Sequence, residues 1–222
     1  MDTLYLLGTK HGDFRGPERL RKFFQVIKPT VVGLEATMEG FRKDTEFRRR
    51  LSDPKYFART MNDIKAALPN ANIETAQLIL KNYAYESVET DKYTASTGAK
   101  LVHCDEPYEI VEFENWGTRL VDTFHNVLMA SPNELTAETE RTYSNPNILT
   151  FNMLTLVRIA GRDRFTEAKL REQEGMILYV GGLFHIFGNY HSPFYGKGNL
   201  YERLADLKPK RLKLNEADQL QI

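Results

Sequence analysis

The chain has 222 residues, with 30 Lys and Arg against 30 Asp and Glu for a formal net charge of zero, and 41% of it is hydrophobic. A balanced charge supplies no global attraction to nucleic acid or an anionic membrane surface, and this apolar content belongs to a chain that buries a core. No apolar run approaches the ~20 residues that span a bilayer, the N-terminal residues do not read as a secretory leader, and the lone Cys104 cannot form an intrachain disulfide, so the expectation is one cytoplasmic domain over residues 1–222 without membrane or nucleic-acid partners.

Leu4–Leu7 is a short apolar run closed by Gly8, and His11 follows three residues later. A run of this kind, bounded by turn residues, predicts a buried strand at residues 3–7. Gly16-Pro17-Glu18 opens a helix, with proline in the first turn and an acid at its positive end. Leu20, Phe23, Phe24 and Ile27 form its apolar face, and Lys28-Pro29 ends it. Thr30–Leu34 is a second strand that ends at Glu35, so the first 35 residues read as a βαβ unit with parallel strands. Residues 36–98 carry more helix than one crossover needs. A charged, solvated helix is expected over Phe41–Leu51, another from the Asp53-Pro54 cap to Leu68, and a third around Thr75–Ser87. Together they read as a large helical insertion packed on or over the sheet.

Lys100–Cys104 is a third strand that ends at Asp105, and Tyr108–Phe113 reads as either strand or helix. Trp116, Leu120, Phe124 and Val127 are at helical spacing, and Ser131-Pro132-Asn133-Glu134 is a capping box. Leu149–Ile159 is apolar nearly all round and predicts a buried helix, and Arg164–Glu174 a polar helix stopped by Gly175. Met176–Gly181 is a further strand, followed by Gly182-Leu183-Phe184-His185, which repeats the earlier strand and Gly-x-x-His arrangement. A short helix over Leu200–Leu207 and an edge strand over Arg211–Leu214 close the chain. The fold class expected is α/β, a mostly parallel central sheet flanked by helices.

His11, Glu35, Asp105 and His185 fall at the predicted carboxyl ends of strands. In a parallel sheet these ends share one rim, where open α/β sheets place their ligands. Two imidazoles and two carboxylates suit a divalent metal ion such as Mn, Co or Zn, which accepts mixed nitrogen and oxygen ligands. They equally suit a metal-free acid–base site, and the residues leave both open. His103 sits deeper on its strand and reads as structural; His125, among apolar helix positions, reads as a core histidine. Tyr190, His191 and Tyr195 follow His185 and stand equally as pocket lining or plain surface. Cys104 reads as buried and inert, and Arg48–Arg50 as a solvated helix face.

The stretches Leu6-Leu7-Gly8-Thr9-Lys10-His11 and Lys28-Pro29-Thr30-Val31-Val32-Gly33-Leu34-Glu35 resemble the opening of TraB/Tiki-type proteins. Those belong to a wider group with erythromycin esterases and the haem-binding ChaN proteins. The group is marked by two Gly-x-x-His motifs, a glutamate ending the second strand and an arginine ahead of the second motif. Gly8 with His11, Glu35, and Gly182 with His185 match in order. Gly161-Arg162-Asp163-Arg164 is similar to the Glu-Arg-Asp of TraB proteins, which makes Arg162 the equivalent and Arg164 its rival. Asp105 corresponds to an aspartate after a middle strand. The resemblance covers residues 3–35 and 155–190; Gly161 stands where TraB proteins carry an acid, and their membrane segments have no counterpart here. It implies a hydrolase that cuts an amide or ester bond of a small-molecule or peptide substrate, with metal assistance as the first expectation. His11, Glu35, Asp105 and His185 would then hold the ion, and Arg162 would bind the developing negative charge. In the metal-free version a histidine backed by Glu35 activates water. The alternative is a non-catalytic binding protein for a small anionic ligand, a metal or haem.

Overall fold

The computed structural model describes residues 3–107, 116–148, 151–190 and 198–220. In chain order its elements are β1 (Thr3–Thr9), α1 (Gly16–Ile27), β2 (Val31–Leu34), α2 (Met38–Arg50), α3 (Pro54–Ala67), α4 (Ile73–Asn82), α5 (Tyr85–Thr97) and β3 (Lys100–His103). There follow α6 (Trp116–Met129), α7 (Pro132–Ser144), α8 (Met153–Arg171), β4 (Met176–Gly182), α9 (Leu183–Phe187), α10 (Leu200–Arg203) and β5 (Lys210–Lys213).

The five strands form one sheet in the order β3-β2-β4-β1-β5, and every pairing is parallel. Such a sheet must be covered on both faces, which is why its inner strands β2, β4 and β1 read as apolar runs, while the edge strands β3 and β5 carry charged residues. Leu7, Leu34, Leu178 and Val180 face a layer built from α1 and Tyr85 of α5. Leu4, Leu6, Ile177 and Tyr179 face Leu170 of α8 and Leu200 and Leu204 near α10. Register aligns the carboxyl ends: Leu7 and Leu34 both lie opposite Val180, and Thr9 lies opposite Gly182. The chain leaves β2 for β3 at one edge of the sheet, and leaves β4 for β5 at the other. Neighbouring strands whose connections depart in opposite directions open a crevice at their carboxyl ends. Glu35 follows one of these strands and His185 the other.

The segment 36–98 divides between two layers. Helix α5 lies on the sheet beside α1, where Tyr93 stacks on Phe24 at 4.4 Å between ring centroids. Helices α2, α3 and α4 instead join α6 in a separate apolar cluster that includes Phe47, Ile64, Leu80 and Leu120. Phe47 therefore anchors a helix whose charges suggested a solvated one.

Three further expectations are corrected. The single helix around Thr75–Ser87 is two helices, broken where Ala84 takes the left-handed conformation with φ of 48°. The break lets Tyr85 turn into the sheet layer, so close to Gly16 that a Cβ there would meet its ring at 2.4 Å. The buried and polar helices expected over Leu149–Ile159 and Arg164–Glu174 are one helix, α8, which Asn152 caps by accepting from the Thr155 N–H. Its buried stripe is Ile159, Asp163, Thr166 and Leu170, and Met153 and Leu154 are 60% and 76% exposed. Helical phase decides this, since one stripe faces the sheet and the other apolar positions turn away. His125 is exposed beside Asn126 and is not a core residue. Tyr108–Phe113, Leu149, His191 and Tyr195 lie outside the described residues. Among those described, no helix is long and apolar enough to cross a membrane.

Candidate active site

Beyond β1 the chain turns through Lys10–Asp13, closed by the Asp13 N–H donating to the Lys10 carbonyl at 3.0 Å. Gly12 takes φ of 85° at the third position, a conformation that strains other residues. His11 occupies the corner, with 66% of its side chain exposed. The turn is pinned from below. Tyr143 Oη accepts from the Lys10 N–H at 3.1 Å, and Tyr85 Oη donates to the Lys10 carbonyl at 3.2 Å. Asp13 accepts from Arg19 at 2.8 Å and from Tyr143 at 3.1 Å. Arg19, 1% exposed, also reaches Glu140 and Asp218 at 2.6 Å each. One buried guanidinium thus ties the His11 loop to α7 and to the last turn of the chain.

Glu35 is the first residue after β2, and its N–H donates to the Val180 carbonyl at 3.0 Å. Its carboxylate therefore lies across the end of β4. It accepts the Gly182 N–H at 2.5 Å and Arg162 Nη2 at 2.6 Å, and stands 3.2 Å from His185 Nε2. Arg162, from the middle of α8, grips Asp105 as well, through Nε at 2.7 Å and Nη2 at 2.8 Å. His185 lies in α9 with Nδ1 at 2.5 Å from Asp163, whose other oxygen accepts from the Tyr190 hydroxyl. His11 Nδ1 is 2.9 Å from Glu86 of α5. Gly182 lies at the centre: a Cβ there would meet Glu35 Oε2 at 3.3 Å, His185 Cδ2 at 3.4 Å and His11 Nε2 at 3.7 Å. The structure so brings His11, Glu35, Asp105, Arg162 and His185 to one rim. Arg164, two residues further along α8, is exposed and takes no part.

Burial alone would raise the Glu35 pKa, but His185 and Arg162 outweigh it and hold the carboxyl well below the usual range. Burial likewise works against a charged His185, yet Glu35 and Asp163 raise it to about 10, so it is an imidazolium at neutral pH. Glu86 pulls the His11 pKa upward, to about 9; with 66% of the side chain exposed, water screens part of this attraction. Burial opposes the Arg162 charge too, but Glu35 and Asp105 keep it cationic. Burial pushes Cys104 up to about 12, consistent with an inert thiol. His103 packs its ring edge-on to Phe41 at 5.2 Å, and burial lowers its pKa.

The four residues expected to bind a metal ion do not fit one. Arg162 occupies both carboxylates, the second oxygen of Glu35 takes a backbone N–H, and His185 faces a carboxylate from each nitrogen. Among the described residues, no group of three or more His, Cys, Asp or Glu side chains is arranged to hold an ion. Glu86 and Asp163 were missed from sequence. Glu86 carries no motif and lies in the insertion, whereas Asp163 stands next to Arg162 in the Arg-Asp pair already singled out.

A cavity of about 290 Å³ opens beside His11, Glu35 and Glu86. A larger one, about 730 Å³, lies between α1 and α5 near the amino ends of β2 and β3, away from all these groups. The fold and rim together define an all-parallel α/β protein with a charge-balanced histidine and carboxylate cluster at its switch point. No family model, curated protein or solved structure matches the chain.

Proposed function

We propose that this protein is a hydrolase of ester or amide bonds, of the TraB/Tiki and erythromycin-esterase type, and that it works without a metal ion. The observation that carries the reading is the His11–Glu86 pair, 2.9 Å apart, at the mouth of a cavity beside Glu35. Glu86 accepting from Nδ1–H fixes the tautomer that leaves the Nε2 lone pair free for a proton. In the proposed step Nε2 takes a proton from water as its oxygen attacks the carbonyl carbon. The carbonyl π pair moves onto oxygen, and Arg162 binds that charge. Its Nη1 makes no hydrogen bond among the described residues, and the side chain is 35% exposed. Collapse of the tetrahedral species expels the alcohol or amine, which takes the proton back from His11. Buried His185 acts at one remove, keeping Glu35 ionised so that it holds Arg162 and the Gly182 N–H in place.

Initial rates on a panel of chromogenic esters and amides test this. His11→Ala should lower kcat by ~10²–10⁴. Activity should rise with pH as His11 loses its proton, and Glu86→Gln should move that rise to lower pH by removing the charge that favours the imidazolium. Wild-type rates unchanged in His11→Ala would end the reading. A second reading, a binding site for a small carboxylate, is favoured by the positive charges of His11 and Arg162 along the rim. It requires calorimetric carboxylate binding that Arg162→Lys abolishes, with no turnover of any substrate.

A further inference from the structure

The cavity beside His11 has a shape and lining that the hydrolytic step does not itself require. Its far wall is Phe14, Ile79, Tyr83, Phe124, Val127 and Leu135, contributed by the His11 loop, the α4 region, α6 and α7. At Phe124 helix α6 departs from helical geometry, with φ of −119° and ψ of 21°, at the position whose ring lines the space. The charged groups at its edge are Glu35, Asp44, Glu86 and Glu138 with Lys10 and His11, and Glu35 is held by Arg162 and His185 while Glu86 is held by His11. Lys10 is paired with Glu138 at 3.3 Å, and Asp44 accepts from Ser87 at 3.0 Å. An anionic tail entering here would give up water for an apolar wall, with the nearby cations already engaged by carboxylates. An apolar group would lose water on all sides. A space of 290 Å³ holds roughly ten water-sized groups at ~30 Å³ each.

We infer that the substrate is an ester or amide of an uncharged, medium-length hydrocarbon acid, whose acyl chain enters this cavity while its carbonyl lies at His11. The inference rests on the hydrolase reading and adds the class of acyl group. It also gives the helices of the insertion a task, since α4 supplies part of the wall against which the chain is measured.

The experiment uses 4-nitrophenyl esters of straight-chain acids from two to twelve carbons, with one of matched length ending in a carboxylate. A buried methylene contributes about threefold to fourfold in kcat/KM, so rates should climb with each carbon up to about eight and fall beyond. The carboxylate-ended ester should lose more than tenfold. Val127→Trp, which fills the cavity, should lower the ratio of octanoyl to acetyl rates by at least tenfold. Because that variant can disturb folding, a second measurement uses wild-type protein: hexanol and octanol should raise Tm, while hexanedioate should not. A flat chain-length profile, or equal tolerance of the carboxylate, overturns the inference and leaves the hydrolase intact. Alcohol-dependent stabilisation without turnover of any ester supports the apolar ligand class and retires the hydrolase.

Discussion

Replacing His185 with Gln tests the electrostatic core of the site. The wild-type imidazolium lies between Asp163 at 2.5 Å and Glu35 at 3.2 Å, and its pKa is raised from 6.5 to about 10. A group whose folded pKa is raised contributes stability that is complete below its unfolded value and is lost as pH climbs to the folded one. Here that window runs from 6.5 to about 10. Each pH unit inside it removes ~1.4 kcal/mol, for a total on the order of 5 kcal/mol. Gln keeps a hydrogen-bonding amide but never carries the charge. At pH 7 the variant should be less stable by ~3–5 kcal/mol, because two buried carboxylates lose their shared cation. Urea unfolding followed by circular dichroism at pH 7, 8 and 9 would measure both proteins. The gap between them should narrow by ~3 kcal/mol from pH 7 to 9, while titration of the groups they share cancels. If the variant does not fold at pH 7, the His185 ring resonances of the wild type give the same answer by NMR titration. A stability gap independent of pH, or ring resonances that titrate near 6.5, would refute the buried imidazolium.

Arg19→Met should cost ~3–5 kcal/mol in urea unfolding, because Asp13 is left buried without its cation while Glu140 and Asp218 are better solvated; a loss under ~1 kcal/mol would mean that the network is held by water. Gly182→Ala places a methyl 3.3 Å from Glu35 Oε2, so it should cost only ~1–3 kcal/mol of stability, while reducing kcat/KM far more; unchanged kinetics would show that the rim tolerates displacement. Tag-free protein should melt at the same temperature with a chelator and with excess Mn²⁺, Co²⁺ or Zn²⁺, since Arg162 occupies the carboxylates an ion would need. A rise of several degrees would signal binding to the native state and restore the metal-assisted reading.

The elements that position the site were legible because their signals are local. The run Leu4–Leu7, the β-branched Val31–Leu34 and the run Ile177–Val180 each declare a buried strand, and each is followed within a few residues by a group of the rim. The Ser131 capping box and the Asp53-Pro54 start appear where the sequence puts them, since a cap needs only its own helix turn. The misread helices have a common cause. At Thr75–Ser87 and Leu149–Ile159 apolar residues occupy more than one helix face, and periodicity does not choose which face meets a partner.

By itself, then, the sequence determined the strands, the helices that open at Gly16, Pro54 and Pro132, and the presence of His11, Glu35, Asp105 and His185 at strand ends. Tertiary structure decided what those groups do. Glu86 reaches His11 across 75 positions of sequence, and Arg162 reaches Glu35 across 127. Neither approach leaves a trace in local pattern, because each depends on how α5 and α8 seat against opposite faces of the sheet. The same list of histidines and carboxylates reads as a metal site on paper. In the folded chain a guanidinium takes the carboxylates, because Arg162 faces the rim and Arg164, two residues further on, turns to solvent.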